Sequence, residues 1–125
     1  MAAEHATRVL RVAEGVRVEL AALLGEEVKD PGAAGAIVTR VEMADDLRSG
    51  RVFVRLLEGG DQPERRKVLI DALGRARGML RREVTQRLGL RHAPELRYAY
   101  DEGLDRTVRI EQLLAEIEAE RKSPK

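Results

Sequence analysis

Few residues in this chain could do chemistry, and the densest group is arginine. Residues 74–97 hold Arg75, Arg77, Arg81, Arg82, Arg87, Arg91 and Arg97 against only Glu83 and Glu95, a local balance of +5. A guanidinium presents a planar fork of donors that matches phosphate, and it stacks on bases. The group therefore suggests an anion site, and RNA is one candidate anion. Arg75 and Arg82 are seven residues apart and Arg77 and Arg81 four, so on a helix each pair shares an edge. A helix restarting at Gly78 would offer free backbone N–H groups, and glycine lets a phosphate come close. Arg91, His92 and Arg97 continue the basic strip through a turn and into the next element. The bland alternative is a solvated amphipathic face with an ordinary glycine kink. Spacing alone leaves both open.

Other chemistries have little support. Arg40, Arg51, Phe53, Arg55 and Arg97 fall on one face of the expected strands and could stack and hold single-stranded bases. One phenylalanine makes a thin platform, and the polar side of a sheet is the commoner explanation. The serines are Ser49 and Ser123, and there is no cysteine, which removes thiolate chemistry, disulfides and cysteine-bound metal. His5 lies near the N-terminus and His92 has no partner at a catalytic spacing. The Asp45-Asp46 and Glu26-Glu27 pairs lack companion ligands. The expectation is a non-enzyme without cofactor, metal or small-molecule substrate. Gly32 to Gly35 has the letters of a GXXG loop but precedes a strand, so it reads as a turn. Gly74 and Gly78 have GxxxG spacing, but no apolar 20-residue segment surrounds them, so a membrane dimer is excluded.

These residues must be positioned by one small domain. The chain has 125 residues, 43% hydrophobic, with one Phe, two Tyr and no Trp, so its core must be aliphatic. Net charge is +1, yet residues 98–120 carry two arginines against seven acids, a local −5 that offsets the basic segment. No signal-like or membrane-length apolar run is present, and the expectation is a soluble, cytoplasmic protein.

Thr7 can cap a first helix with apolar positions Val9, Val12, Ala13, Val16, Leu20, Leu23 and Leu24, closed by Gly25. Residues 36–43 alternate, with Ile37, Thr39, Val41 and Met43 on one face. Residues 51–57 alternate again, with Val52, Val54 and Leu56 inward; a hairpin results. Pro63 opens a helix with stripe Val68, Leu69, Ala72, Leu73 and Ala76. A second helical pattern, Leu80, Val84 and Leu88, follows, and a break or kink is expected near Ala76-Arg77-Gly78. After Pro94 comes a third strand bearing Leu96, Tyr98 and Tyr100 on one side. A last helix uses Leu104, Val108, Ile110, Leu113, Leu114 and Ile117, whose stripe should pack on the domain. The order is α-β-β-α-α-β-α, with one parallel strand pair across the helical crossover. This is an α+β fold, a three-stranded sheet with helices on one face.

Six segments, in order, match a known family: RVLRVAE at 8–14, EVKDP at 27–31, VEMADDLRSGRVFV at 41–54, ARGMLRREV at 76–84, LGLRHAPELRYAYD at 88–101 and RIEQLL at 109–114. Over nearly its whole length the chain resembles bacterial ribosome-binding factor A. The resemblance implies a type II KH-like domain, placed here at residues 1–120, and residues 121–125 are expected to fray as a flexible tail. It implies an Ala-x-Gly kink where classical KH domains have GXXG, a place filled here by Ala76, Arg77 and Gly78. It also implies a non-catalytic monomer that binds the free small (30S) ribosomal subunit and its 16S rRNA. Such a factor assists late maturation and 5′-end processing, especially in the cold, when misfolded RNA escapes slowly. The RNA-binding residues would be Arg75, Arg77, Gly78, Arg81, Arg82, Arg91, His92 and Arg97. Gly50 stands where the family commonly has alanine, and Gly32 where it commonly has arginine. A general RNA chaperone acting outside the ribosome, or a protein–protein adaptor using the acidic last helix, are the competing readings.

Overall fold

The computed structural model describes residues 2–103 and 114–121. Helix α1 (Ala2–Glu26) opens the chain. A short 3-10 turn, Pro31–Ala33, leads to β1 (Ala36–Met43) and β2 (Ser49–Leu56), then to α2 (Pro63–Leu88) and β3 (Glu95–Tyr100). The sheet order is β1-β2-β3. β1 and β2 are antiparallel and β2 and β3 parallel, so α2 is the crossover. The class is α+β, as the patterning predicts. No helix among the described residues is long and apolar enough to cross a membrane.

α1 begins before Thr7. Ala2 and Ala3 are strong helix formers, and Glu4 in the first turn complements the helix dipole. Thr7 is thus inside the helix, and its hydroxyl donates to the Ala3 carbonyl (2.9 Å) instead of capping. The helix also runs past Gly25 and closes where the N–H groups of Glu27 and Val28 both donate to Leu23.

β1 spans the expected residues, but its facing reverses midway. Val38 pairs with Val54 and Arg40 with Phe53, which leaves Thr39 as the extra residue of a bulge. One extra residue flips the alternation. Val38 is buried before it, and Val41 and Met43 pack on the core after it. Ile37, expected to share their face, is instead 38% exposed. β2 carries Val52, Val54 and Leu56 inward as expected.

No break interrupts α2 at Ala76-Arg77-Gly78: it is one helix of 26 residues. Its apolar positions explain why. Leu69, Leu73, Ala76, Leu80 and Val84 follow at steps of four, three, four and four, so the two patterns are one stripe. Gly78 therefore lies in mid-helix, with no free N–H groups of a restarting terminus. α2 ends with Gly89 in the left-handed conformation, whose N–H reaches back to Gln86.

The core is aliphatic, with Val16, Leu20 and Leu23 of α1 and Leu69, Leu73, Leu80 and Val84 of α2 buried on one face of the sheet. Gly32 is what lets the 3-10 turn seat on α2: a Cβ there would stand 3.0 Å from Val68 Cγ1 and 3.1 Å from the Val68 carbonyl. Tyr98 and Tyr100 pack against the core, on the helix side of the sheet. The Tyr98 hydroxyl is buried without a partner among the described residues, and burial pushes its pKa up. The Tyr100 hydroxyl accepts from Leu56 N–H (3.2 Å), and the Arg66 guanidinium lies 4.4 Å from its ring centre.

Most of the expected last helix, from Leu104 through Val108 and Ile110 to Leu113, lies outside the described residues. Residues 114–121 are helical, and Leu114 and Ile117 are exposed, so the expected packing is not seen at these two.

Candidate nucleic-acid interface

The buried stripe of α2 fixes what its outer face presents. At 100° per residue, Gly74 and Gly78 point away from Leu73, Leu80 and Val84. Both glycines are exposed, and a Cβ at either would meet nothing within 4 Å. The outer side of the helix thus carries a smooth strip with no side chain. Arg77 and Arg81 border it on one edge, Arg75 and Arg82 on the other. In the sequence Gly74 is visible only as half of a GxxxG spacing. Its role depends on the burial of α2, which a composition scan does not supply.

The four arginines are not equivalent. Arg77 and Arg82 are exposed and make no hydrogen bond or ion pair among the described residues. Arg75 is engaged: its Nη2 and Nε lie 2.8 and 2.9 Å from Asp30 Oδ2. Asp30 Oδ1 accepts the Gly32 N–H (2.9 Å). That backbone bond, then the Arg75 guanidinium, holds the Asp30 carboxyl below its ordinary pKa. Arg75 therefore tethers α2 to the turn after α1. Arg81 donates from Nη2 (2.7 Å) and Nε (3.3 Å) to the Ala93 carbonyl. It fixes the turn between α2 and β3. Arg87 is also committed, 3.5 Å from Glu19 and 3.8 Å from Glu83.

The remaining expected residues are placed apart. Arg91 and His92 are exposed in the turn beyond Gly89, which is itself eleven residues, or about 16 Å along the helix axis, from Gly78. Arg97 lies on the opposite side of the sheet from the helices, since its neighbours Leu96 and Tyr98 face the core. Its cross-strand partner is Arg51. On that same face Arg40 covers Phe53, its guanidinium 4.0 Å from the ring centre. The ring expected to stack bases is thus already stacked. Below it Asp101 accepts from Thr39 Oγ1 (2.5 Å) and from Gly103 N–H (3.0 Å). The Thr39 bond, then the Gly103 bond, lowers its pKa, with Arg40 and Arg55 adding to the effect.

The structure therefore separates one linear basic strip into three surfaces: the glycine strip of α2, the 89–92 turn, and the outer sheet face. The first combines close backbone access with uncommitted guanidinium groups. Such a surface suits a sugar–phosphate backbone.

Comparison with known proteins accords with this fold. Residues 8–114 match the family described as Ribosome-binding factor A. A ribosome-binding factor A from Sorangium cellulosum is 47% identical over 110 residues, 88% of each chain. The crystal structure of ribosome-binding factor A from Thermus thermophilus superposes with a TM-score of 0.62 at 20% identity, covering 74% of this chain and 94% of that one. Coordinates of the Thermus thermophilus factor fitted into the cryo-EM map of a complex with 30S superpose with a TM-score of 0.51 at 22% identity, covering 70% and 92%. With 107 of its 125 residues matched, this chain belongs to the ribosome-binding factor A family.

Proposed function

We propose that this protein is a non-catalytic assembly factor that binds the free small ribosomal subunit through the phosphate backbone of 16S rRNA. It acts as a monomer in the cytoplasm and assists late maturation, including 5′-end processing, above all at low temperature. The observation that carries the reading is the outer face of α2. Gly74 and Gly78 leave open space on a helix of 26 residues, with Arg77 and Arg82 uncommitted at its edges. Family membership and the relative fitted into a 30S complex support the choice of partner.

In this reading the glycine strip lets a phosphodiester strand lie against the helix, and Arg77 and Arg82 neutralise its charge. Arg75 and Arg81 act chiefly by fixing α2 to its neighbours. Arg91, His92 and Arg97 belong to flanking surfaces. Recognition comes from shape, since phosphate contacts carry no sequence information. A chaperone of this kind needs no chemical step. Holding rRNA in one arrangement raises the population of that arrangement, which matters most in the cold, where alternative pairings exchange slowly. The test is co-sedimentation of the wild type and of Arg77→Glu/Arg82→Glu with isolated small subunits in a sucrose gradient. Loss of binding by a folded variant supports the assignment, and unchanged binding removes it.

A further inference from the structure

We propose that a second phosphate-holding site lies in the cleft where the first turns of α1, the β1–β2 loop and the α2–β3 turn meet. The proposal rests on the RNA-binding reading above and joins its flanking residues Arg91 and His92 to His5, Arg8 and Arg48, which that reading does not use. The cleft has a volume of about 640 Å³. Three separate segments give it an arginine each: Arg8 from α1, Arg48 from the loop and Arg91 from the turn. None of the three side chains has a hydrogen bond or ion pair among the described residues. The only two histidines of the chain, His5 and His92, line the same space. Two carboxylates also border it, Asp45 and Asp46. Asp46 is already engaged, accepting the Arg48 backbone N–H at 3.0 Å.

The walls are fastened to one another. The His5 ring N–H donates to the Asp45 carbonyl (2.7 Å), which ties α1 to the loop. Glu95 N–H donates to the Arg48 carbonyl (2.9 Å), which ties the loop to β3. Arg81 ties the turn to α2 through Ala93. Leu47, also in the wall, is the one non-glycine residue with positive φ among the described residues (60°). A leucine in that region is strained and persists only where its surroundings hold it. Three uncommitted guanidiniums outnumber the two carboxylates that border the cleft, so its fastened walls carry an excess of positive charge that an anion offsets. Arginine together with the His92 ring N–H suits a phosphate oxygen, while His5 serves the wall through Asp45. The cleft lies beyond the C-terminal end of α2, so a strand lying along the glycine strip could continue into it, or a second rRNA segment could enter it.

The test measures affinity of the full chain for isolated small subunits across a salt series. Wild type is compared with Arg48→Gln/Arg91→Gln, Arg48→Lys/Arg91→Lys and Arg77→Gln/Arg82→Gln. Each lost phosphate contact lowers the slope of log K against log salt by about 0.7–0.9. The Gln pair in the cleft should lower it by about 1.5, and the Lys pair should keep most of it, because a point charge still displaces counterions. If the α2 variant loses slope and the cleft variant does not, the cleft site is wrong and the α2 reading stands. If both keep the wild-type slope and affinity, both readings fail. Weaker binding by the cleft Gln pair at an unchanged slope would mean a contact that is not phosphate, a protein surface for example, and would also overturn the proposal.

Discussion

Replacing Gly74 and Gly78 together by alanine separates the stability of α2 from its proposed use. Both sites are helical, exposed and empty for 4 Å around a new Cβ. The substitution therefore adds no contact and removes none, and its effect on stability is the helix propensity alone. Alanine is better than glycine by about 0.8–1 kcal/mol per helical site. The pair should raise unfolding free energy by roughly 1.5–2 kcal/mol, or a melting temperature by about 6–8 °C at the ~4 °C per kcal/mol expected for a chain of this size. Binding should move the other way. Two methyl groups on the strip push a phosphate outward by about one methyl radius. Moving a guanidinium–phosphate pair from about 4 to about 6 Å at an effective dielectric near 20 costs about 1.4 kcal/mol, a factor of about ten in affinity. Thermal unfolding by circular dichroism and equilibrium binding to small subunits supply the two readouts. A more stable protein that binds as tightly as wild type would refute the close-approach role of the glycines. A protein that gains no stability would refute the uninterrupted helix.

Three further outcomes follow from particular contacts. Tyr98→Phe removes a buried hydroxyl with no partner and should stabilise the fold by about 1 kcal/mol in urea unfolding; destabilisation would show that the hydroxyl is satisfied in solution. Gly60→Ala drives a Cβ into the Tyr100 hydroxyl, which Leu56 N–H needs, and should lower stability by at least about 2 kcal/mol, read as a lower denaturant midpoint. Asp101 has a depressed pKa in the folded state, first through Thr39. Its contribution is therefore present above the unfolded carboxylate value of about 3.9 and is lost as pH falls through the lower folded value. Thr39→Val should flatten the decline in stability below about pH 4, and an unchanged acid profile would contradict the assignment.

The sequence and the structure agree where a local rule decides and part where a tertiary contact does. Residues of β2 alternate without interruption, so their inward set is legible from period two alone. β1 has the same letters but contains a bulge at Thr39, and no local signal marks it. The bulge follows from pairing with Phe53 and from the Thr39 bond to Asp101, 62 residues away. In α2 the continuous stripe is present in the letters. A glycine pair suggests a break, yet core packing on both sides holds one helix together. Among the arginines, sequence identifies the basic segment but not the division of labour within it. Arg75 is committed by Asp30, 45 residues earlier, and Arg81 by a carbonyl, and neither partner is marked by charge spacing. Of the four arginines that border the glycine strip, Arg77 and Arg82 are the two with no such partner among the described residues. The cleft of His5, Arg8, Arg48, Arg91 and His92 is wholly tertiary, since its segments are distant in sequence.

Sucrose-gradient sedimentation at moderate salt, with free small subunits and assembled ribosomes in parallel, tests the central claim most directly. The wild-type chain should travel with free small subunits and not with assembled ribosomes, and Arg77→Glu/Arg82→Glu, folded by circular dichroism, should stay at the top of the gradient. Co-sedimentation of that variant at the wild-type level, or a wild type that travels with neither particle, would contradict the account.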